Sequence, residues 1–513
     1  MKPSPRRYDA VVIGAGHNGL VCAAYLARAG IDTLVVERSE QLGGATISET
    51  VWPGWTVSAA SYVVSLLHPR IVRELDLRTH GYDGYLKAHA SFTPLLDGRS
   101  LLLGRDDAEN ADEVARFDPE DVRGFVAFEA ERARLGSALA DAFEIADAHS
   151  VHFDDATWAT LSGSAAELVE RYVRTPVLQA ELVNDGLIGT YAGPRDAGTA
   201  MVLAYHNAGR THGIQGAWGF VRGGMGAIAK AAAQAAMAFG AEIVPASPVT
   251  QILTRNGRVA GVVLENGDEI EGETVISNAD PVRTFAQMGA DVKELCAMRE
   301  RLKHWRIEGA ALKVNLALGE LPNFTARPGS TPQPHHQATI HVAPSIDYLQ
   351  RAHDDARAGG VSESPLVECF LQTPTEPELA PPGKHLLSVF AQYFPYHRSD
   401  GPWTSEARER AADRIVEILG YYAPNLAGAV LDRQILAAPD LEAKIGLTGG
   451  HIFHGELLPD QMFAKRFGAR TSLPGLYLCG SGAHPGGCVS GIPGMHAANA
   501  VREDLALRRT VPA

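Results

Sequence analysis

Residues 8–13, Tyr-Asp-Ala-Val-Val-Ile, form a short apolar run of the kind that fills the centre of a buried parallel sheet. A glycine-rich turn follows at 14–19, then an alanine-rich helical stretch at 20–29 and a second apolar run at 33–37. Strand, turn, helix and strand in that order predict a βαβ unit. Between 109 and 172 the pattern becomes helical, with Phe125, Phe128, Leu135 and Leu139 recurring at helix spacing, and this reads as an inserted helical region. Gly223, Gly224 and Gly226 open another alanine-rich helix that runs towards Phe239. Strand-like segments follow at 242–244, 249–255, 259–264 and 269–276. Asn256-Gly257 and Asn266-Gly267 separate the last three, so an antiparallel meander is expected. Residues 291–440 mix strands with a helix around 405–419. The last stretch gives a strand at 475–479, a glycine-rich turn and a helix from about Pro493.

The 513 residues allow more than one layered unit, and 45% hydrophobic with 21% charged residues is the composition of a folded, water-facing protein. Lys and Arg number 46 against 60 Asp and Glu, for a net charge of -14. That balance excludes nucleic-acid binding as the main task, which needs a basic footprint, and weakens electrostatic anchoring to a membrane. Five separated cysteines, Cys22, Cys296, Cys369, Cys479 and Cys488, provide no CxxC pair and no disulfide framework, which fits a reducing cytoplasm. Residues 1–9 are polar, without the apolar segment of a signal peptide, and no apolar run is long enough to span a bilayer. A peripheral contact with lipid is left open.

Gly14-x-Gly16-x-x-Gly19 lies between a strand and a helix, where it has a mechanical meaning. The glycines permit a tight turn, let a diphosphate approach the backbone and bring helix and strand together; the helix N-terminus then offers free N–H groups. Glu37 ends the second strand, where an acid can bind the ribose hydroxyls of an adenosine. This much indicates a dinucleotide. Two further features point to FAD rather than NAD. Arg38 is followed by Gly43-Gly44-Ala45-Thr46, a second close approach of backbone to a long cofactor. At the far end, Gly480-Ser481-Gly482-Ala483-His484-Pro485-Gly486-Gly487 opens a second helix, whose N-terminus can face the flavin pyrimidine.

With these motifs in place the chain resembles the phytoene desaturase-like flavoprotein family, which includes retinol saturases. Within it the resemblance is to a branch whose name refers to pyridine nucleotide–disulfide oxidoreductases. The segments carrying it are YDAVVIGAGHNG, ERSEQLGG, WGFVRGGMG, SNADP, LTGGHIFHGE and LYLCGSGAHPGG, in the family's order over nearly the whole chain. The resemblance implies an α/β fold: a Rossmann-like, glutathione reductase-type FAD domain with an inserted α+β substrate domain. It places the FAD domain at 1–95, 218–290 and 441–513, and the substrate domain at 96–217 and 291–440. It further implies a main-chain contact from Val249 to the adenine, and it matches His484 to a family histidine that positions the loop. The branch name is misleading, because disulfide reductases need a redox cysteine pair beside the flavin and this sequence has none. Gly-Gly-Cys at 486–488 is similar to the covalent attachment site of monoamine oxidases, but there the cysteine precedes the C-terminal flavin motif. FAD is therefore expected to be non-covalent, with Cys488 a small packing residue.

The flavin supplies the redox chemistry, and the protein must position a substrate and move a proton. His451-x-x-His454-Gly455-Glu456 is the most chemically loaded string, with His454 or Glu456 as acid–base partner; the spacing matches no zinc pattern, and no metal is expected. Tyr62 can line the flavin cavity or merely pack. The expected activity is hydride removal from a small or lipophilic substrate, with a quinone or oxygen as electron acceptor. An amine oxidase releasing peroxide, or a flavin-binding regulatory protein with little catalysis, are the alternatives.

Overall fold

The computed structural model describes residues 7–289 and 292–510, without the side chains of 509 and 510. The reading of residues 1–6 and the domain boundary expected at 290–291 lie outside the described residues.

The strand Tyr8–Ile13 is buried at every position but Asp9 and is the middle of a seven-stranded sheet. Thr33–Val36 pairs with it in parallel on one side and Glu269–Ser277 on the other, with Glu242–Val244 and Leu476–Leu478 continuing the parallel order outward. The expected meander, Val249–Arg255, Arg258–Leu264 and Glu269–Ser277, is antiparallel. Its last strand has a double role. The N-terminal half pairs with Arg258–Leu264, and the C-terminal half enters the parallel sheet beside Tyr8–Ile13.

One face of this sheet is covered by helices His17–Arg28, Gly226–Ala238 and Ile492–Thr510, the first packed against both others. Their contact surfaces are small, including Ala23, Ala24, Ala231, Ala232, Ala497 and Ala498, all fully buried. Small side chains let helix axes approach closely. A methyl group on Gly494 would sit 2.2 Å from the Asn18 carbonyl oxygen, so Ile492–Thr510 touches the backbone of His17–Arg28 there.

A second seven-stranded sheet runs in the order Val430–Leu436, Ala311–Leu318, His385–Gln392, Leu366–Leu371, Thr339–Val342, Ser91–Pro94, Ser100–Leu103. Ser91–Pro94 pairs with Thr339–Val342, so this sheet begins before the boundary expected at 95. The strand alternation divides its two faces. Leu312, Val314 and Leu316, with Val367, Cys369, Leu387 and Val389, form one core with helix Ser405–Tyr422. The opposite positions carry Lys313 and Asn315, Glu368, Ser388 and Gln392, all buried polar groups facing the junction between the sheets. The helices Asp107–Ala115, Asp121–Glu144, Asp155–Ser162 and Ala165–Glu170 make up the expected helical insertion. Among the described residues no helix is long and apolar enough to cross a membrane.

Candidate functional site

A cavity of about 560 Å³ runs from the ends of the parallel strands to the polar face of the second sheet. At its sheet end lie Gly14, Gly16, Glu37 and Arg38, with Gly44, Ala45 and Val249 beside them. Helix His17–Arg28 starts here. Its cap is Gly16, with no side chain bonded to the first turn and no acid within it, so its N–H groups are available to an anion. The turn has no room for side chains: a methyl on Gly16 would lie 2.6 Å from Asn278 Nδ2, and one on Gly19 2.2 Å from the Gly14 carbonyl oxygen. Glu37 is 8% exposed and accepts from the Ala15 N–H at 2.6 Å and the Ser39 N–H at 2.9 Å, which fixes its carboxylate at the strand end.

Buried polar atoms without a partner in this wall include Asn18 Oδ1, His17 Nε2 and Gln287 Oε1. Buried polar groups need partners, and this set suits a polar, anionic dinucleotide. The wall suits FAD: the helix N–H groups would serve a diphosphate, Glu37 a ribose, Val249 and Gln287 would stand beside a base, and the wide apolar end would take a ring system. Arg38 lines the cavity, while its guanidinium donates to the carbonyls of Ala443 (3.2 Å) and Lys444 (2.9 Å) and ties the 441–447 segment to the site. The Val249 carbonyl already accepts from Gln287 Nε2 at 2.9 Å.

The other expected residues divide. Ser481 and His454 belong to the wall; Gly19, Gly43, Thr46, Gly480, His484 and Pro485 stand behind it. Thr46 Oγ1 donates to the Gly43 carbonyl at 2.8 Å and braces the second glycine turn. His484 Nε2 lies 3.0 Å from the Ile145 carbonyl oxygen, which holds the C-terminal loop against the helical region and is a positioning role. His454 and Glu456, read together in sequence, are separated by the loop. His454 takes a left-handed backbone (φ 56°), and its Nδ1 is buried without a partner; burial lowers its pKa to about 4, so it is neutral at physiological pH. Glu456 does not reach the wall. Its carboxylate accepts from the Tyr191 N–H (3.0 Å) and the Thr190 hydroxyl, with His451 Nε2 3.5 Å away.

The far end of the cavity holds Tyr62, which the sequence offered for this place, among residues it did not single out. Tyr62, Ile188, Trp218, Phe390, Ile452 and Phe453 form its walls. Lys313 enters among them, 2% exposed, donating to Asn315 Oδ1 at 2.6 Å and to the Ser388 hydroxyl, with its Nζ 5.2 Å from the centre of the Tyr62 ring. Burial lowers its pKa to about 7. The available signal was a lysine interrupting the apolar run Ala-Leu-Lys-Val-Asn-Leu-Ala-Leu. Cys488, expected to pack, lines the cavity with a left-handed backbone (φ 64°) and its sulfur 3.7 Å from His206 Nε2. Cys479 is not its partner but neighbours Cys22, both fully buried.

A glycine-turn helix N-terminus, an acid at the strand end and a wide apolar chamber beyond define an FAD-dependent oxidoreductase. The comparisons agree. Residues 19–283 match the family described as flavin containing amine oxidoreductase. Over 97% of its length the chain is 37% identical to the Rattus norvegicus pyridine nucleotide-disulfide oxidoreductase domain-containing protein 2, covering 94% of that protein. It is 26% identical to the lycopene-forming phytoene desaturase of Pseudescherichia vulneris, over 94% of this chain and 96% of the relative. An oxidoreductase structure from Methanosarcina mazei shares the fold, with a TM-score of 0.61 at 18% identity, covering 97% of this chain and 100% of that one. The chain belongs to the flavin-containing amine oxidoreductase family.

Proposed function

We propose that this enzyme dehydrogenates a lipophilic small molecule at a carbon–carbon bond. The observation that supports this is the composition of the cavity's far end. Tyr62, Ile188, Trp218, Phe390, Ile452 and Phe453 give a substrate apolar surface, and no carboxylate stands among them to fix an ammonium group. The carboxylates of the wall are Glu37, Glu49 and Glu265; Glu37 is engaged by Ala15 and Ser39, and Glu49 by Lys444. A pocket of apolar walls with a few placed polar groups selects a ligand largely by shape and desolvation. The similarity to a phytoene desaturase favours the same chemistry.

FAD, when bound, supplies the hydride acceptor. The residues around it do the rest: the aromatic walls exclude water and orient the substrate, Lys313 places beside the Tyr62 ring an amine poised between its charged and neutral forms, and the Tyr62 hydroxyl faces a proton acceptor. Cys488 contributes no covalent attachment in this reading, and electrons leave to a quinone or to dioxygen.

The test is anaerobic mixing of the FAD-loaded protein with a panel of isoprenoid hydrocarbons and a panel of amines, following the visible flavin band. Bleaching by hydrocarbons is the expected outcome. Bleaching by amines alone, with peroxide formed when air is admitted, would overturn the proposal in favour of an amine oxidase.

A further inference from the structure

Behind Tyr62 lies a second, polar chamber of about 130 Å³, sharing Val63, Ile188 and Trp218 with the large cavity as a common wall. A continuous hydrogen-bonded chain links the two. The Tyr62 hydroxyl donates to Glu368 Oε1 at 2.8 Å. Glu368 Oε2 accepts from Asn184 Nδ2 at 3.1 Å and lies 3.3 Å from His341 Nε2, and His341 Nδ1 lies 2.8 Å from Glu181 Oε2. His341, Glu181 and Glu368 are 8%, 7% and 5% exposed at their side chains, and they sit on the polar face of the second sheet and on helix Pro176–Val183. The chamber's other charged groups are Lys87, Glu129, Arg132 and Asp185. Arg132 pairs with Glu129 and lies 3.7 Å from Asp185, and these three side chains are 22% to 33% exposed, so the chamber meets the surface there. Lys87 is tied to the Ala90 carbonyl and the Thr339 hydroxyl.

We propose that Tyr62 and Glu368 carry the proton released in the flavin cavity out through this chamber, so that hydride and proton leave the reacting centre by separate routes. The inference rests on the functional reading above. In the step, the substrate's proton bonds to Tyr62 Oη as the phenolic O–H bond breaks and an O–H bond forms on Glu368 Oε1. The electron pair leaves as hydride to FAD, the oxidant, so charge and atoms balance. Burial opposes a charge on His341, but Glu181 and Glu368 on either side raise its pKa to about 10 and keep it cationic. That fixed positive charge weakens the hold of Glu368 on the new proton, which passes into the chamber and to solvent past Glu129 and Arg132. His341 is thus a positioning residue, acting through Glu368. An isolated buried acid–base chain with no cavity at either end would be structural; this one has a cavity at each end.

The experiment needs no substrate, because oxidation of the reduced flavin by ferricyanide, two electrons to two ferricyanides, releases a proton into the same cavity. FAD-loaded protein is reduced with dithionite, freed of excess reductant and mixed in a stopped-flow instrument with ferricyanide and a pH-indicator dye. Return of the flavin colour reports oxidation, and the dye reports arrival of the proton in solvent. In the native protein the two coincide. In Y62F and E368Q, which preserve shape, the dye response should lag the colour by about a hundredfold or more, the usual effect of removing a proton-transfer group. A merely structural role would alter flavin retention without separating the two signals. If E368Q does not retain flavin, Y62F alone decides. Coincident signals in the FAD-loaded variants show that the proton leaves by the cavity mouth and overturn the relay alone; a protein that binds no FAD overturns the functional reading and the relay with it.

Discussion

Replacing Lys313 with methionine separates what this residue costs the fold from what it gives the site. Burial holds its amine at a pKa of about 7 against the usual 10.5. Between these values the unfolded chain keeps a proton that the folded protein has lost, so stability rises with pH across the window and the full cost is present below it. At about 1.36 kcal/mol per pH unit, the gap sets an upper limit of about 5 kcal/mol on the cost of burying the charge. Methionine keeps the length and removes the charge. The groups left behind stay bonded, because the Ser388 hydroxyl donates to Asn315 Oδ1 at 2.9 Å and Asn315 Nδ2 to Gln434 Oε1 at 2.9 Å. K313M should therefore be more stable than the native protein by about 1–4 kcal/mol near neutral pH, the range found when buried charges give way to apolar groups. The gain should shrink as the pH approaches 10.5, while flavin bleaching by substrate slows. Urea unfolding of both FAD-loaded proteins at neutral and alkaline pH measures this. A variant no more stable near neutrality, or a gain that does not change with pH, would refute the reasoning.

Two other outcomes follow from the cofactor end. G19A puts a methyl 2.2 Å from the Gly14 carbonyl oxygen, so strand and helix must separate; a loss of about 1–3 kcal/mol and of bound FAD is expected, read by melting temperature and by flavin absorbance per protein. Acid precipitation of the FAD-loaded protein should leave the yellow colour in the supernatant, whereas colour in the pellet would assign Cys488 a covalent role.

The cofactor end was legible because its chemistry is local. Gly14, Gly16, Gly19 and Glu37 lie within one βαβ unit, and each residue's task follows from its place in that unit. The far end was not, because sheet register assembles it. Lys313, Glu368 and Ser388 lie on three different strands and share a face only through the alternation of side chains along paired strands. Both faces of those strands are buried, and nothing local in the sequence says which face meets the cavity. His454 and Glu456 are neighbours in sequence, but positive-φ backbone at His454 and Gly455 turns the loop, so that His454 lines the cavity and Glu456 does not. The place of Ser91–Pro94 was hidden for a related reason: it finds its parallel partner in Thr339–Val342, some 250 positions away, a pairing that no nearby pattern announces.

The strand Glu269–Ser277 has a consequence for the order in which the protein can be made. Tyr8–Ile13 gains its neighbour on this side only after residue 277 has left the ribosome, and that neighbour waits in turn for Leu476–Leu478. The helix covering the dinucleotide turn, Ile492–Thr510, comes later still. Chains emerge from the N-terminus and fold as units when their contacts become available. The nucleotide-binding turn is thus synthesised long before the strand and the helix that close the pocket around it, and loading of the cofactor waits for the residues beyond 492.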